Sequence, residues 1–563
     1  MRQLTEIEKT KILSTLSKLT EGKIVSGISV YGSQVAGYAR DDSDYDAIVV
    51  LSPFRQKIRY YYLNGEVECS ALVVDTKSFE NDCRRSALGE FVSGRFLNPY
   101  EAINGREFLE TNECAFKRKV MLEGLFEAVA EYQDLAFEIE FGLPYFLFEK
   151  LRKRAAIYPP VVYSYSQTYG DKLGAANLAS SLTGFRRAAE ALEKERVLRL
   201  VSDDRVRLGF QTTRTSNSSA EFKGGIGARV SAAASYTTKS IRQYAVHGYA
   251  GRVRPLVVGK EVASKLTRLR TPKSSKLPDA IHHPKSFWSI PEGKLFVRSE
   301  DWISDLTALF GMRETNCKVN EKPIGEIYTA SNYFVVDDGS NHREFVVKRF
   351  KDFKAMKWGI LNVWSLKNAD FVTNSTVRLS REYHGLNEFR KMGIHTPRVI
   401  AVFLPQEMLV TSFIKGSDLS SLQSTYLDGE SDDLSPFRRF GEILATLHNN
   451  DYCMGDTKPS NAVLSDEDSE IYLVDLEQSH PRGNPVWDVA EFVYYSIRFT
   501  MKEEKARKLL DAFFDGYTGM KENKDALRIV ERTVDFRYRA PFQAFIAPNV
   551  LGAIVQDIKQ RKK

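Results

Sequence analysis

Residues 24–75 carry short apolar runs, GISVY, DAIVVL, IRYYYL and EVECSALVV, each about one strand long and separated by Gly, Asn or Asp. The pattern predicts strands, with a short helix after Gly32-Ser33. Asn64-Gly65 between the last two runs predicts a hairpin, because that pair accepts the positive φ of a tight turn. From 113 to 200 the apolar spacing becomes helical, as in AFKRKVMLEGLFEAVAEYQDLAFEIEF and LTGFRRAAEALEKERVLRLV. SDDRVRL follows the second helix as a turn and short strand, which suits the wing of a winged-helix unit. Strand patterns return from 318 at EIYTA, NYFVV and EFVVKRF, helical spacing dominates after 436, and no internal repeat is visible.

Between 205 and 290 the periodicity lapses. Ser, Thr, Gly, Lys and Arg crowd stretches such as TTRTSNSSAEFKGGIGARVSAAAS, and acids are sparse. Two readings stay open, a surface connector and a basic surface for a phosphate-rich partner.

Length changes the picture first, because 563 residues exceed the usual size of one domain and imply about two to four. Lys plus Arg number 80 against 73 Asp plus Glu, a net +7 that suits phosphate-bearing ligands without demonstrating nucleic-acid binding. The five cysteines form no CxxC pair, so neither a zinc site nor a disulfide framework is indicated. The N-terminal stretch MRQLTEIEKTKILSTLSKL alternates charged and apolar residues, unlike a signal peptide, and no run is long and apolar enough to span a membrane. The expectation is a soluble, cytoplasmic protein with no membrane partner.

Asp44 and Asp46 open the run DAIVVL. Two residues apart in a strand, they point to one face, where like charges repel unless a cation lies between them. Gly32-Ser33, at a strand-to-helix junction, offers close backbone approach to phosphate. Further along, Glu66 and Glu68 are expected on one face of the second hairpin strand, with Asp75 on the other.

These residues resemble the signature of the polymerase β superfamily of minimal nucleotidyltransferases: Gly-Ser, a gap of about ten, Asp-x-Asp, and a later carboxylate in an apolar strand. The match covers roughly residues 20 to 110. The resemblance implies that Gly32 and Ser33 contact the triphosphate, that Asp44 and Asp46 ligate Mg²⁺ or Mn²⁺, and that Glu68, where relatives commonly have Asp, is third ligand and base. Two ions would activate an acceptor hydroxyl and neutralise departing pyrophosphate.

A second constellation lies in LATLHNNDYCMGDTKPSNAVLSDEDSEIYLVDLEQ. Asp456, Lys458 and Asn461 share a loop and Asp475 ends the next strand, the parts a phosphoryl-transfer site requires. Lys348 in EFVVKRF and Glu382 in LSREYHGLNEFRKMG complete the set. Residues 320 to 550 therefore resemble a protein-kinase-like domain. The resemblance implies Lys348 on the α/β-phosphates, Glu382 orienting it, Asp456 as base, Lys458 at the γ-phosphate, Asn461 and Asp475 on metal, and adenine held near Ser412 and Ile414 in MLVTSFIKGSDL. Departures are plain. YTASNY replaces a glycine-rich loop, Met454-Gly455-Asp456 replaces His-Arg-Asp, and Asp475-Leu476-Glu477 replaces Asp-Phe-Gly. Asp475 and Asp488 lie too close for a peptide-docking activation segment, and no Ala-Pro-Glu follows. That pattern is closer to the KEOPS-complex kinase, RIO kinases, lipopolysaccharide kinases and aminoglycoside phosphotransferases; the basic end DIKQRKK bears a faint likeness to the KEOPS kinase tail.

The expected fold is multidomain α+β: a small mixed-sheet nucleotidyltransferase domain (1–112), a helical and winged-helix-like region (113–210), a basic connector (211–315) and a bilobal protein-kinase-like domain (316–563). The expected function is bifunctional: NMP transfer from an NTP, and ATP-dependent phosphorylation, with RNA or an RNA-associated protein as candidate acceptor. Two alternatives stand beside it: an antibiotic-type enzyme modifying a small hydroxylated molecule, and an RNA-binding scaffold with degenerate sites.

Overall fold

The computed structural model describes residues 1–157, 161–170, 173–209, 277–312, 318–324, 331–339, 341–350, 371–520 and 525–561. Most of the basic connector, Tyr328-Thr329-Ala330 of YTASNY, Cys317 and the last two lysines lie outside the described residues. The chain is multidomain and mixed α/β, and divides into two compact units: Met1–Glu131 with Ile139–Ser289, and Tyr132–Glu138 with Ile290–Lys563.

In the first unit, β1 (Ile24–Tyr31), β2 (Tyr45–Ser52), β3 (Ile58–Asn64), β4 (Glu68–Asp75) and β5 (Tyr100–Asn104) form a mixed sheet of order β3-β4-β2-β1-β5, in which only β2 and β4 pair in parallel. Alternation decides its faces. Ile28, Val30, Ala47, Val49, Leu51, Cys69, Ala71 and Val73 form one core with Ile12 and Leu16 of α1 (Glu6–Thr20). The alternate set, Ile48, Val50, Leu72 and Val74, is buried on the other side, where α3 (Thr76–Arg85) packs; α2 (Ser33–Ala36) is the short helix after Gly32. The hairpin forms, but through a three-residue loop: Asn64 pairs with Glu68, which leaves Gly65, Glu66 and Val67 in the turn.

The expected boundary at 112 falls inside α4 (Arg106–Tyr132), one continuous helix whose Leu109 packs over Gly27 of β1. Consequently the helical region, α5 (Leu143–Ile157), α6 (Val161–Tyr169) and α7 (Gly174–Lys194), is one unit with the N-terminal sheet. At SDDRVRL, where a winged-helix wing was expected, β7 (Leu198–Ser202) and β8 (Arg205–Leu208) form a hairpin that β6 (Glu140–Gly142) and β9 (Trp288–Ser289) extend to four strands.

The second unit starts before residue 316. β10 (Lys294–Phe296) pairs in parallel with β14 (Val399–Phe403), Phe296 stacks on Phe403 at 4.4 Å, and α8 (Trp302–Leu309) sends Leu306 into the core with Phe334 and Phe345. The apolar stretch WISDLTALF thus belongs to this core rather than to a connector. The sheet runs β10-β14-β15-β13-β12-β11, with β11 (Lys318–Pro323), β12 (Ser331–Asp337), β13 (His342–Arg349) and β15 (Met408–Ser412). α9 (Ser375–Lys391) begins at Asn374, whose side chain caps the Val377 N–H. Beyond the sheet come α10 (Leu419–Asp428), α11 (Ser435–Asn449) and α12 (Pro485–Ser496), with a small sheet of β16 (Gly416–Asp418), β18 (Ala462–Ser465) and β19 (Ile471–Leu473). β17 (Tyr452–Cys453) pairs with β20 (His480–Pro481). Among the described residues no helix is long and apolar enough to cross a membrane.

Candidate functional site

In the first unit the register lays one polar row across the sheet, Tyr31, Asp46, Ser70 and Tyr62, on the face opposite α1. The Ser70 hydroxyl donates to Asp44 Oδ2, and continuing the β2–β4 register by one residue sets the exposed Glu68 beside Asp44. Among the described residues Asp44 makes no ion pair. Gly32, at φ 81°, is required twice over: L-residues rarely adopt that angle, and a Cβ there would overlap the Asp46 carboxylate. Ser33 opens α2 directly beyond it. Both carboxylates offer hard oxygen donors on one face, a set that fits Mg²⁺ or Mn²⁺.

Glu66 and Glu68 do not share a face, contrary to expectation. The three-residue turn takes Glu66 out of the strand, and its Oε1 accepts from Ser14 of α1 at 2.6 Å. Asp75 instead caps α3 by accepting from the Ser78 N–H. Two residues of this site were missed by sequence: Ser70, visible only once register is known, and Arg95. The Arg95 guanidinium donates to Tyr31 Oη at 2.9 Å and to Tyr60 Oη, and its charge acts on Asp46. The Cys69 thiol, on the core face, is pushed up to about 11 by burial and then by the negative charge of Asp44 and Asp46.

In the second unit, Lys348 of β13 is buried, and its Nζ reaches Glu382 of α9 at 2.9 Å, Glu477 at 3.3 Å, and Asp475. Burial would lower this ammonium's pKa, but Asp475, Glu382 and Glu477 outweigh it and raise it. Burial pushes the Glu382 carboxyl up to about 7 against the pull of Lys348. Glu477 was missed; it also pairs with Arg378 at 3.3 Å, and the signal was its place two residues after Asp475.

The loop bearing Asp456 is held by its own backbone. Asp488 of α12 accepts from the N–H groups of Met454 (2.7 Å) and Gly455 (3.0 Å), and Glu491 accepts from Thr457 N–H at 2.7 Å. Gly455, at φ 79°, brings the chain against Gln478 O, where a Cβ would collide. Lys458 Nζ then contacts both Asp456 oxygens, Oδ1 at 2.6 Å and Oδ2 at 2.8 Å. Asn461 Nδ2 donates to Asp456 O at 2.9 Å, which leaves its Oδ1 as the atom to meet a cation, and Val474 N–H donates to Asn461 O at 2.9 Å, stitching Asn461 to the residue before Asp475. Three carboxylates meet one lysine and one arginine, and with the Asn461 amide they offer oxygen donors, a donor set that fits a divalent ion. At the end of β15, Ser412 N–H donates to Arg398 O at 2.9 Å, and Ile414 follows half-buried.

No protein-family model matches the chain. The EKC/KEOPS complex subunit bud32 of Dictyostelium discoideum is 24% identical over 149 residues, 25% of this chain and 58% of that protein. The chain thus spans a little over half of that relative's length. Among solved structures, an ethanolamine kinase of Plasmodium vivax aligns with 10% identity and a TM-score of 0.26, covering 43% of this chain and 82% of that one. The sequence similarity supports a protein-kinase-like domain in this chain.

Proposed function

We propose that the second unit is an ATP-dependent phosphotransferase. The observation that carries this is the buried Lys348 ammonium held by Glu382 on one helix and Asp475 on a distant loop. In this reading Lys348 binds the α/β-phosphates and Ser412 to Ile414 border the adenine, with the Ser412 N–H already committed to Arg398. Asp475 and Asn461 would hold Mg²⁺ or Mn²⁺, which supplies charge neutralisation when bound. Asp456 takes the proton of the acceptor hydroxyl, while Lys458 shields that carboxylate until it can turn to the γ-phosphate. The short path from Asp475 to Asp488 favours an acceptor other than a peptide laid along an activation segment, and the basic middle suits RNA or an RNA-associated protein. Calorimetry and turnover test this together. Asp475→Ala is expected to abolish metal-dependent ATP binding, and Asp456→Ala to keep binding while lowering turnover by about 10²- to 10⁴-fold. A wild-type chain that fails to bind Mg-ATP overturns the proposal.

A second activity, NMP transfer at the first unit, is favoured by Asp46 beside Gly32 and by the Ser70 hydroxyl on Asp44. Gly32 and Ser33 would border the triphosphate, and Asp44, Asp46 and Glu68 would hold the metal. Replacing Asp44 and Asp46 by Ala should eliminate Mg²⁺-dependent labelling from α-labelled NTP; persistent labelling counts against the assignment.

A further inference from the structure

The chain passes into the second unit twice, at Tyr132 and at Ile290, and both crossings grip the same helix. After the first, Glu138 Oε1 lies 2.5 Å from His384 Nδ1 of α9, whose Nε2 lies 2.8 Å from Tyr452 Oη of β17. Glu138 and His384 are buried, as are Leu135, Ala136 and Phe137 alongside, and this turn packs on α9. After the second crossing, the Glu292 N–H donates to Tyr383 Oη at 3.0 Å, and that hydroxyl donates back to Glu292 O at 3.2 Å. The Glu292 carboxylate meets Arg390, further along α9, at 3.4 Å. Tyr383 is wholly buried.

Tyr383 and His384 immediately follow Glu382. Apolar packing alone lets a helix slide or rotate by an ångström or so, whereas buried polar contacts are directional and specify one arrangement. Glu382 must keep such a position to hold Lys348 at 2.9 Å. His384 also joins α9 to Tyr452, which starts the two-residue strand leading into Met454-Gly455-Asp456.

We infer that Glu138, His384, Glu292 and Tyr383 are positioning residues: they fix α9 so that Glu382 holds Lys348. The effect on turnover rests on the phosphotransfer reading, but the placement of Lys348 does not, so the two can fail separately.

The test uses the full chain and an amine-reactive acylating reagent, with modification at each lysine followed by peptide mass spectrometry. Lys117 of the first unit, fully buried and paired with Glu113 at 2.6 Å, and half-buried Lys505 of the second, which donates to Tyr426 O at 2.8 Å, are the internal controls. Glu138→Ala is expected to raise acylation of Lys348 roughly tenfold or more, the scale of losing a buried hydrogen bond to a charged group, with Lys117 unchanged. Glu138→Gln, which keeps an acceptor for the ring N–H, is expected to restore most of the protection. Tyr383→Phe, which removes one hydroxyl and no bulk, should raise Lys348 acylation by about threefold to tenfold. If Glu138→Ala unfolds the second unit, Lys505 becomes reactive in step, and Tyr383→Phe then decides by the same ratio. Acylation at the wild-type rate in the folded variants overturns the inference. Mg-ATP calorimetry on the same proteins separates the readings: no ATP binding with responsive acylation removes the phosphotransferase and leaves the clamp, whereas ATP binding with flat acylation does the reverse.

Discussion

Asp46 in β2 and Asp44, one residue before that strand, are answered by the Ser70 hydroxyl on Asp44 and by the charge of Arg95, which bonds to two tyrosines, on Asp46. Glu382, Asp475, Glu477 and Asp456, by contrast, each touch a lysine. On the nucleotidyl-transfer reading the first cluster would receive an added cation, since neighbouring like charges favour one. The second is already neutralised in part, and on the phosphotransfer reading it would exchange partners to act: Asp475 would leave Lys348 for a metal, and Lys458 would leave Asp456 for phosphate. Removing one cation should therefore injure the second unit's fold, while removing one anion should spare the first unit's.

The largest effect expected from that difference is at Lys348. Lys348→Ala leaves three carboxylates gathered without their common partner, and loss of a buried pair typically costs about 3–5 kcal/mol. Hydrogen exchange should show protection falling across β12 and β13 by that amount, with Glu382→Gln in the same chain restoring part of it. Asp44→Asn should alter protection in β1 and β2 by less than about 1 kcal/mol. Equal costs at the two positions would break the comparison.

A finer division falls within the first site. Glu68→Gln is expected to lower nucleotidyl transfer by about two orders of magnitude or more, the usual scale for a lost base. Ser70→Ala removes only the hydroxyl on Asp44 and should cost roughly tenfold. Glu66→Gln should leave the rate within about twofold, because Glu66 bonds to Ser14 on the α1 side. Rates measured with α-labelled NTP rank the three, and a damaging Glu66→Gln would show that the turn places the acids differently from the register.

What the sequence disclosed follows the range of the interactions. Strand alternation put Asp44 and Asp46 on one face without reference to any other segment, and Asn64-Gly65 marked the hairpin. The hairpin's register was beyond reach, because a two-residue and a three-residue turn suit the same residues, and that single difference moved Glu66 off the sheet. Lys348, Glu382, Asp456, Asn461 and Asp475 were identifiable by resemblance; that Lys348 meets Glu382 and Asp475 in space, and that Lys458 and Asn461 both contact Asp456, came from the structure. Ser70 and Arg95 escaped notice, and Glu477 was read only as the end of Asp475-Leu476-Glu477, because each acts across strands or loops distant in sequence. Residues 132–138 and 290–312 gave helical or short apolar patterns that local periodicity assigns equally well to either neighbour; only tertiary packing places them in the second unit.

Another modest effect concerns acid, and it again sets one unit against the other. Glu8 closes a capping box on α1: its carboxylate accepts from the Thr5 N–H at 2.8 Å while the Thr5 hydroxyl accepts from the Glu8 N–H. Partial burial works to raise its pKa, but the Thr5, Arg2 and Tyr45 hydrogen bonds outweigh this and hold it down from 4.5 to about 2. A carboxyl lowered on folding stabilises the protein fully above its unfolded pKa and loses that contribution as pH falls through the folded value. Glu8→Gln should thus weaken α1 by about 1 kcal/mol at neutral pH, the usual worth of a cap. The gap between wild type and variant should close as pH falls from 4.5 toward 2. Hydrogen exchange at the α1 amides, compared with those of α9, measures it. A gap that persists undiminished at the acid end would assign the stabilisation to shape rather than charge, and a matching response in α9 would show that the two units do not answer to acid separately.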